Sequence, residues 1–106
     1  MNGVMGRERV AGASEVPVGG LRRCAVAGTV ICLAHTEDGK FYAVADQCSH
    51  EDYSLSEGDL IDGEVECPQH GSRFDLVTGE PHALPATAPI ATYPVTVEGG
   101  DVFVEL

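Results

Sequence analysis

Two short clusters hold the side chains best suited to metal chemistry. Cys48-Ser49-His50 and Cys67-Pro68-Gln69-His70 each place one thiol and one imidazole close together, with 16 residues between His50 and Cys67. Either alone could be a core thiol beside a surface imidazole; two such pairs in one short chain make a Cys2His2 ligand set. Thiolate with imidazole suits zinc or an iron–sulfur centre. Zinc would be held tetrahedrally by all four side chains, but the usual zinc framework pairs Cys with Cys and His with His at short spacing. Here each loop mixes the two. The mixture fits a [2Fe-2S] centre in which two cysteines hold one iron and two histidines the other. A four-cysteine cluster fits poorly. Seven residues separate Cys24 from Cys32 and 15 separate Cys32 from Cys48, which is not the plant-type ferredoxin spacing.

The elements that must position these loops read as β-strands. Residues 10–13, 21–27, 29–36 and 41–45 are short apolar runs, with Glu37-Asp38-Gly39-Lys40 as a turn, so residues 29–45 read as a hairpin. Residues 65–67 and 73–76 are two further strand candidates. Residues 91–98 and 102–106 flank Gly99-Gly100-Asp101 as a second hairpin. No stretch keeps a helical period for three turns. The expectation is an all-β antiparallel sandwich or small barrel. Residues 1–8 read as a flexible leader and 9–106 as one domain. A subdomain at about 46–86 would carry the chemistry.

The chain has 106 residues, enough for one core and too few for a catalytic domain plus an accessory one. Six Lys and Arg face 17 Asp and Glu, a net charge of −11, which argues against nucleic acid and anionic membrane as partners. Thirteen Gly and six Pro suit many tight turns. No apolar run is long enough for a signal peptide or a membrane span, so the expected location is the cytoplasm. In that reducing setting four cysteines read as thiols or metal ligands rather than disulfides.

The run Cys67-Pro68-Gln69-His70-Gly71-Ser72-Arg73-Phe74, followed by Thr78-Gly79, resembles the second cluster loop of Rieske proteins. Cys48-Ser49-His50, with Leu55 and Gly58 after it, resembles the first. The resemblance covers about residues 8–106. It implies the Rieske fold and a Rieske-type [2Fe-2S] cluster, with Cys48 and Cys67 on the buried iron and His50 and His70 on the outer one. Two ferric ions, two sulfides and two thiolates sum to zero charge, so an electron enters more easily than in an all-thiolate cluster. Gly71 would let the backbone approach the cluster with N–H groups available to sulfur, and Pro68 would stiffen the loop. High-potential members carry an extra cysteine in each loop, joined as a disulfide; Tyr53 and Gln69 stand there. They also place a Tyr hydroxyl where this chain has Phe74, while the matching serine, Ser72, is present. Fewer donors imply a potential on the order of −150 mV rather than +300 mV.

The resemblance further implies a one-electron carrier, not an enzyme by itself: the ferredoxin component of an aromatic-ring-hydroxylating dioxygenase system. It would be a monomer taking electrons from an NAD(P)H-dependent flavoprotein reductase and passing them to a terminal Rieske oxygenase. A Rieske ferredoxin serving iron–sulfur assembly is an alternative, and a structural zinc module a more distant one; colour separates the last, since zinc protein is colourless. Cys24 and Cys32 read as buried apolar side chains, His35 as a surface imidazole, and His82 as part of a segment covering the cluster. Leu84 and Pro85 are expected to shield the centre, and Tyr53 and Leu55 to line the first loop. Glu51, Asp52, Glu57, Asp59, Asp62, Glu64 and Glu66 form an acidic face that could steer a basic partner.

Overall fold

The computed structural model describes residues 7–49, 53–68, 71–84 and 88–106. It contains eleven strands among those residues: β1 (Arg7–Gly12), β2 (Leu21–Val26), β3 (Thr29–His35), β4 (Phe41–Ala45), β5 (Asp59–Ile61), β6 (Glu64–Glu66), β7 (Arg73–Asp75), β8 (Pro81–Ala83), β9 (Thr92–Tyr93), β10 (Val95–Glu98) and β11 (Asp101–Glu105). The helical turns among them are two short 3-10 segments, Ala13–Glu15 and Leu55–Glu57. No helix among the described residues is long and apolar enough to cross a membrane. All strand pairings are antiparallel, in three sheets ordered β1-β11-β10, β2-β3-β4-β9 and β5-β6-β7-β8.

The β2-β3-β4-β9 sheet is the middle layer, because successive strand side chains point to opposite faces. Along β3, Cys32 and Ala34 join one core cluster and Ile31 and Leu33 the other. Val44 and Ala43 split the same way on β4. The first cluster also takes Val65 and Phe74 from the third sheet; the second takes Ala11, Val102 and Val104 from the β1-β11-β10 sheet. Burial on both faces explains why β3 is a continuous apolar run, Val30-Ile31-Cys32-Leu33-Ala34, rather than an alternating one. Each fully buried Ile31, Leu33, Leu55 or Phe74 side chain contributes about 1.5–3 kcal/mol of hydrophobic stabilisation.

The hairpin of residues 29–45 and the terminal hairpin form as the sequence suggests, with Pro94 dividing the expected 91–98 strand into β9 and β10. The N-terminal boundary moves. β1 starts at Arg7, inside the segment read as leader, and pairs with β11 from Arg7↔Glu105 onward. Arg7 bridges to Glu98 at 2.8 Å and lies over the Phe103 ring, and Arg9 bridges to Asp101 at 2.8 Å. Residues 1–6 of that segment lie outside the described residues. His35 is no surface imidazole. It is half-buried, its ring stacks on cross-strand Phe41 at 3.9 Å, and its Nδ1 lies 2.7 Å from the Val16 carbonyl oxygen.

Candidate metal centre

Two loops meet between the middle sheet and the β5-β6-β7-β8 sheet. The first leaves β4 at Asp46 and ends in the Leu55–Glu57 turn. The second joins β6 to β7. Cys48 and Cys67 are each 2% exposed and belong to the same core cluster, walled by Leu55, Val65, Phe74 and Ile90. Neither is in a disulfide. Buried thiols on two opposed loops, with none of the four cysteines cross-linked, suit a pair of thiolate ligands to one soft metal. His50 and His70 lie outside the described residues, as do Gln69, Glu51, Asp52 and Pro85.

Each loop is closed by its own backbone. Cys48 N–H donates to the Tyr53 carbonyl at 3.0 Å. In the second loop Cys67 N–H donates to the Ser72 carbonyl at 2.7 Å, and Gly71 N–H to the Cys67 carbonyl at 3.3 Å. Gly71 has φ +77°, a conformation open to glycine at little cost. Its own N–H is thus directed to a carbonyl rather than to the site. Ser72 and Phe74 are both fully buried. The loops also touch each other. Gly58 lies so close to Glu66 that a Cβ would stand 1.8 Å from the Glu66 carbonyl oxygen and 3.2 Å from Pro68 Cδ.

Residues 88–90 complete the enclosure. Asp75 accepts the Val77 and Thr78 N–H groups at 2.7 and 3.0 Å. The Thr78 amide above all holds its carboxyl below the usual range against a smaller opposing effect of burial. This turn delivers Gly79, whose carbonyl accepts the Ile90 N–H at 2.9 Å. Ser49, between the first loop's Cys and His, donates its hydroxyl to the Ala88 carbonyl at 2.5 Å. Ile90 therefore sits over the thiols, 7% exposed, whereas Leu84, expected to shield the centre, is 77% exposed. Leu55 is fully buried, while Tyr53 faces solvent.

The remaining titratable groups fall into place around this frame. Cys24 pairs across with Ile31, and Cys32 with Arg23, so the two thiols occupy opposite faces of the middle sheet and cannot join. Burial pushes both thiols up in pKa, Cys32 far up, as for small apolar core residues. His82 on β8 pairs through Nδ1 with the Glu64 carboxylate of β6, which raises its pKa. Glu66 pairs with Arg73 at 3.1 Å, so part of the expected acidic face is internally neutralised. Asp46 was not singled out in the sequence. Its side chain is 1% exposed, and it gathers Ser54, Ser56 and Arg23 around the first loop. An acid two residues before a candidate ligand, followed by two serines eight and ten residues on, is the signal that could have flagged it.

Comparison with known proteins agrees with this geometry. Over 69 residues, 64% of this chain, the sequence is 56% identical to the 3-phenylpropionate/cinnamic acid dioxygenase ferredoxin subunit of Shigella flexneri serotype 5b (strain 8401). The match spans 65% of that relative's length. Among solved structures, the ferredoxin of carbazole 1,9a-dioxygenase from Nocardioides aromaticivorans IC177 superposes with a TM-score of 0.89 at 34% identity, covering 93% of this chain and 96% of that one. A complex of reduced oxygenase and oxidized ferredoxin in carbazole 1,9a-dioxygenase contains a chain that superposes with a TM-score of 0.88 at 36% identity, covering 96% and 94%. Residues 7–94 match the Rieske [2Fe-2S] domain, and the chain belongs to that family.

Proposed function

We propose that the protein is a one-electron carrier, the ferredoxin component of an aromatic-ring dioxygenase system, and not itself the oxygenase. The observation that carries this reading is the pair of buried thiols, Cys48 and Cys67, on two closed loops in one core. In this reading Cys48 and Cys67 hold one iron and His50 and His70 the other. The cluster, when bound, would supply reversible one-electron chemistry. The chain supplies the rest. Backbone bonds hold Cys48 within the first loop and Cys67 within the second. Leu55, Phe74 and Ile90 exclude water from the sulfur side, and Gly58 allows the two loops to close on each other.

The partners in this reading are an NAD(P)H-dependent flavoprotein reductase as donor and a terminal Rieske oxygenase as acceptor, with the protein a cytoplasmic monomer. The solved ferredoxin–oxygenase complex supports the acceptor class. The net charge of −11 supports docking to basic surfaces, which speeds encounter more than it tightens binding. The test is reconstitution. The cluster-loaded protein, mixed with the reductase and oxygenase of a 3-phenylpropionate system and with NADH, should restore turnover in a preparation lacking its own ferredoxin. Reduction by the reductase without re-oxidation by the oxygenase would contradict the acceptor assignment.

A further inference from the structure

Asp46 closes the first ligand loop from the inside. Its side chain is 1% exposed, and it precedes Cys48 by two residues. Oδ1 accepts the Ser56 N–H at 2.7 Å. Oδ2 accepts the Ser56 hydroxyl at 3.2 Å and the Ser54 hydroxyl. The Arg23 Nε, on a 60% exposed side chain, stands 3.4 Å from Oδ2. Strand register explains the meeting. Arg23 faces Cys32, and Cys32 faces Val44, so Asp46, two residues beyond Val44, continues the face whose core also holds Cys48 and Cys67. A buried carboxylate is costly unless donors and a cation hold it. Here the donors Ser54 and Ser56 come from the far end of the same loop, so the carboxylate links the two ends of the loop that carries Cys48. A fixed negative charge at that place opposes the arrival of an electron on a nearby centre, and a partly solvated Arg23 offsets it incompletely.

We propose that Asp46 is a positioning residue for the first ligand loop, and that its charge, offset by Arg23, sets the reduction potential of the cluster held through Cys48. The inference rests on the ligand reading given above. The two side chains act with opposite sign. Asp46→Asn keeps the shape and an acceptor for the Ser56 N–H but removes the charge, so the potential rises. Arg23→Gln removes the offsetting cation, so the potential falls.

The experiment is a redox titration of the cluster-loaded wild type, both single variants and the double variant, followed by EPR. Each single variant should change the equilibrium between reduced and oxidised protein at least threefold, in opposite directions, with the double variant between them; tenfold would be 59 mV for one electron. A merely structural role would move both singles the same way, or neither, and either result overturns the inference. Should Asp46→Asn fail to load a cluster, Arg23→Gln at the surface decides alone: a fall supports the inference, and no change or a rise overturns it. The wild-type EPR signal tests the ligand reading separately from the signs of these shifts.

Discussion

Gly58 is the point where the loops carrying Cys48 and Cys67 press on each other, and Gly58→Ala is the most informative single substitution there. A Cβ at this position would stand 1.8 Å from the Glu66 carbonyl oxygen and 3.0 Å from its carbon. A relaxed carbon–oxygen contact is about 3.3 Å, so the loops must part by about 1.5 Å. Both sides of the contact are backbone, and rotamer changes cannot relieve it. Overpacking of this kind costs about 3 kcal/mol, the upper part of its usual range, which in a domain of this size lowers Tm by about 10–20 °C. The effect on the metal centre should be larger than on the fold. The displaced carbonyl immediately precedes Cys67, and the turn that carries Gly58 closes the loop of Cys48. Iron and sulfide per protein should fall well below wild type. The control is Gly39→Ala in the β3-β4 turn, where a Cβ meets nothing within 4 Å and φ is +85°; it costs only backbone strain of about 1–2 kcal/mol and keeps its cluster. Thermal unfolding by circular dichroism and iron analysis read both effects. A Gly58→Ala protein with full iron content and the Tm of Gly39→Ala would refute the reasoning.

Other expectations follow from neighbouring residues. Phe74→Tyr puts a hydroxyl into the core shared by Cys48 and Cys67 and should raise the midpoint relative to wild type, as read by voltammetry; no rise would mean that the hydroxyl does not reach the cluster. Cys24→Ser and Cys32→Ser should keep the cluster, with Cys32→Ser losing about 1–3 kcal/mol in denaturant for a buried hydroxyl; loss of the visible spectrum in either would contradict their core role. The Glu64 pairing raises the His82 pKa above its ordinary value of 6.5. Its stabilisation is therefore complete below that value and fades as pH rises through the raised one. A ring titration by NMR should show a midpoint above 6.5 that drops in Glu64→Gln, and unchanged midpoints would remove the pairing.

The strands legible in the sequence were those with local signals. β3 and β4 are short apolar runs joined by turn residues, β2 ends in the apolar Cys24-Ala25-Val26, and β10 and β11 flank Gly99-Gly100. β5 and β8 were not legible, because Asp59-Leu60-Ile61 does not alternate and Pro81 opens β8, whereas the equally short β6 and β7 centre on Val65 and Phe74; sheet neighbours, not propensity, make β5 and β8 strands. The Cys-His spacing marks the two loops in the sequence, and the structure buries Cys48 and Cys67 in one core. The contacts that hold the loops were not. The approach of Gly58 to Glu66, the exposure of Leu84 and the stacking of His35 on Phe41 all depend on residues brought together by the fold. Asp46 looked like one acid among 17 until burial separated it from the solvated ones.

The central claim is a mixed thiolate–imidazole [2Fe-2S] centre held by Cys48, His50, Cys67 and His70, and EPR of the dithionite-reduced protein tests it most directly. The expected result is a rhombic signal with an average g below that of all-cysteine ferredoxins, lost in His50→Ala and in His70→Ala. An all-cysteine signature, a colourless zinc protein with no signal, or a wild-type signal surviving either histidine replacement would contradict the claim.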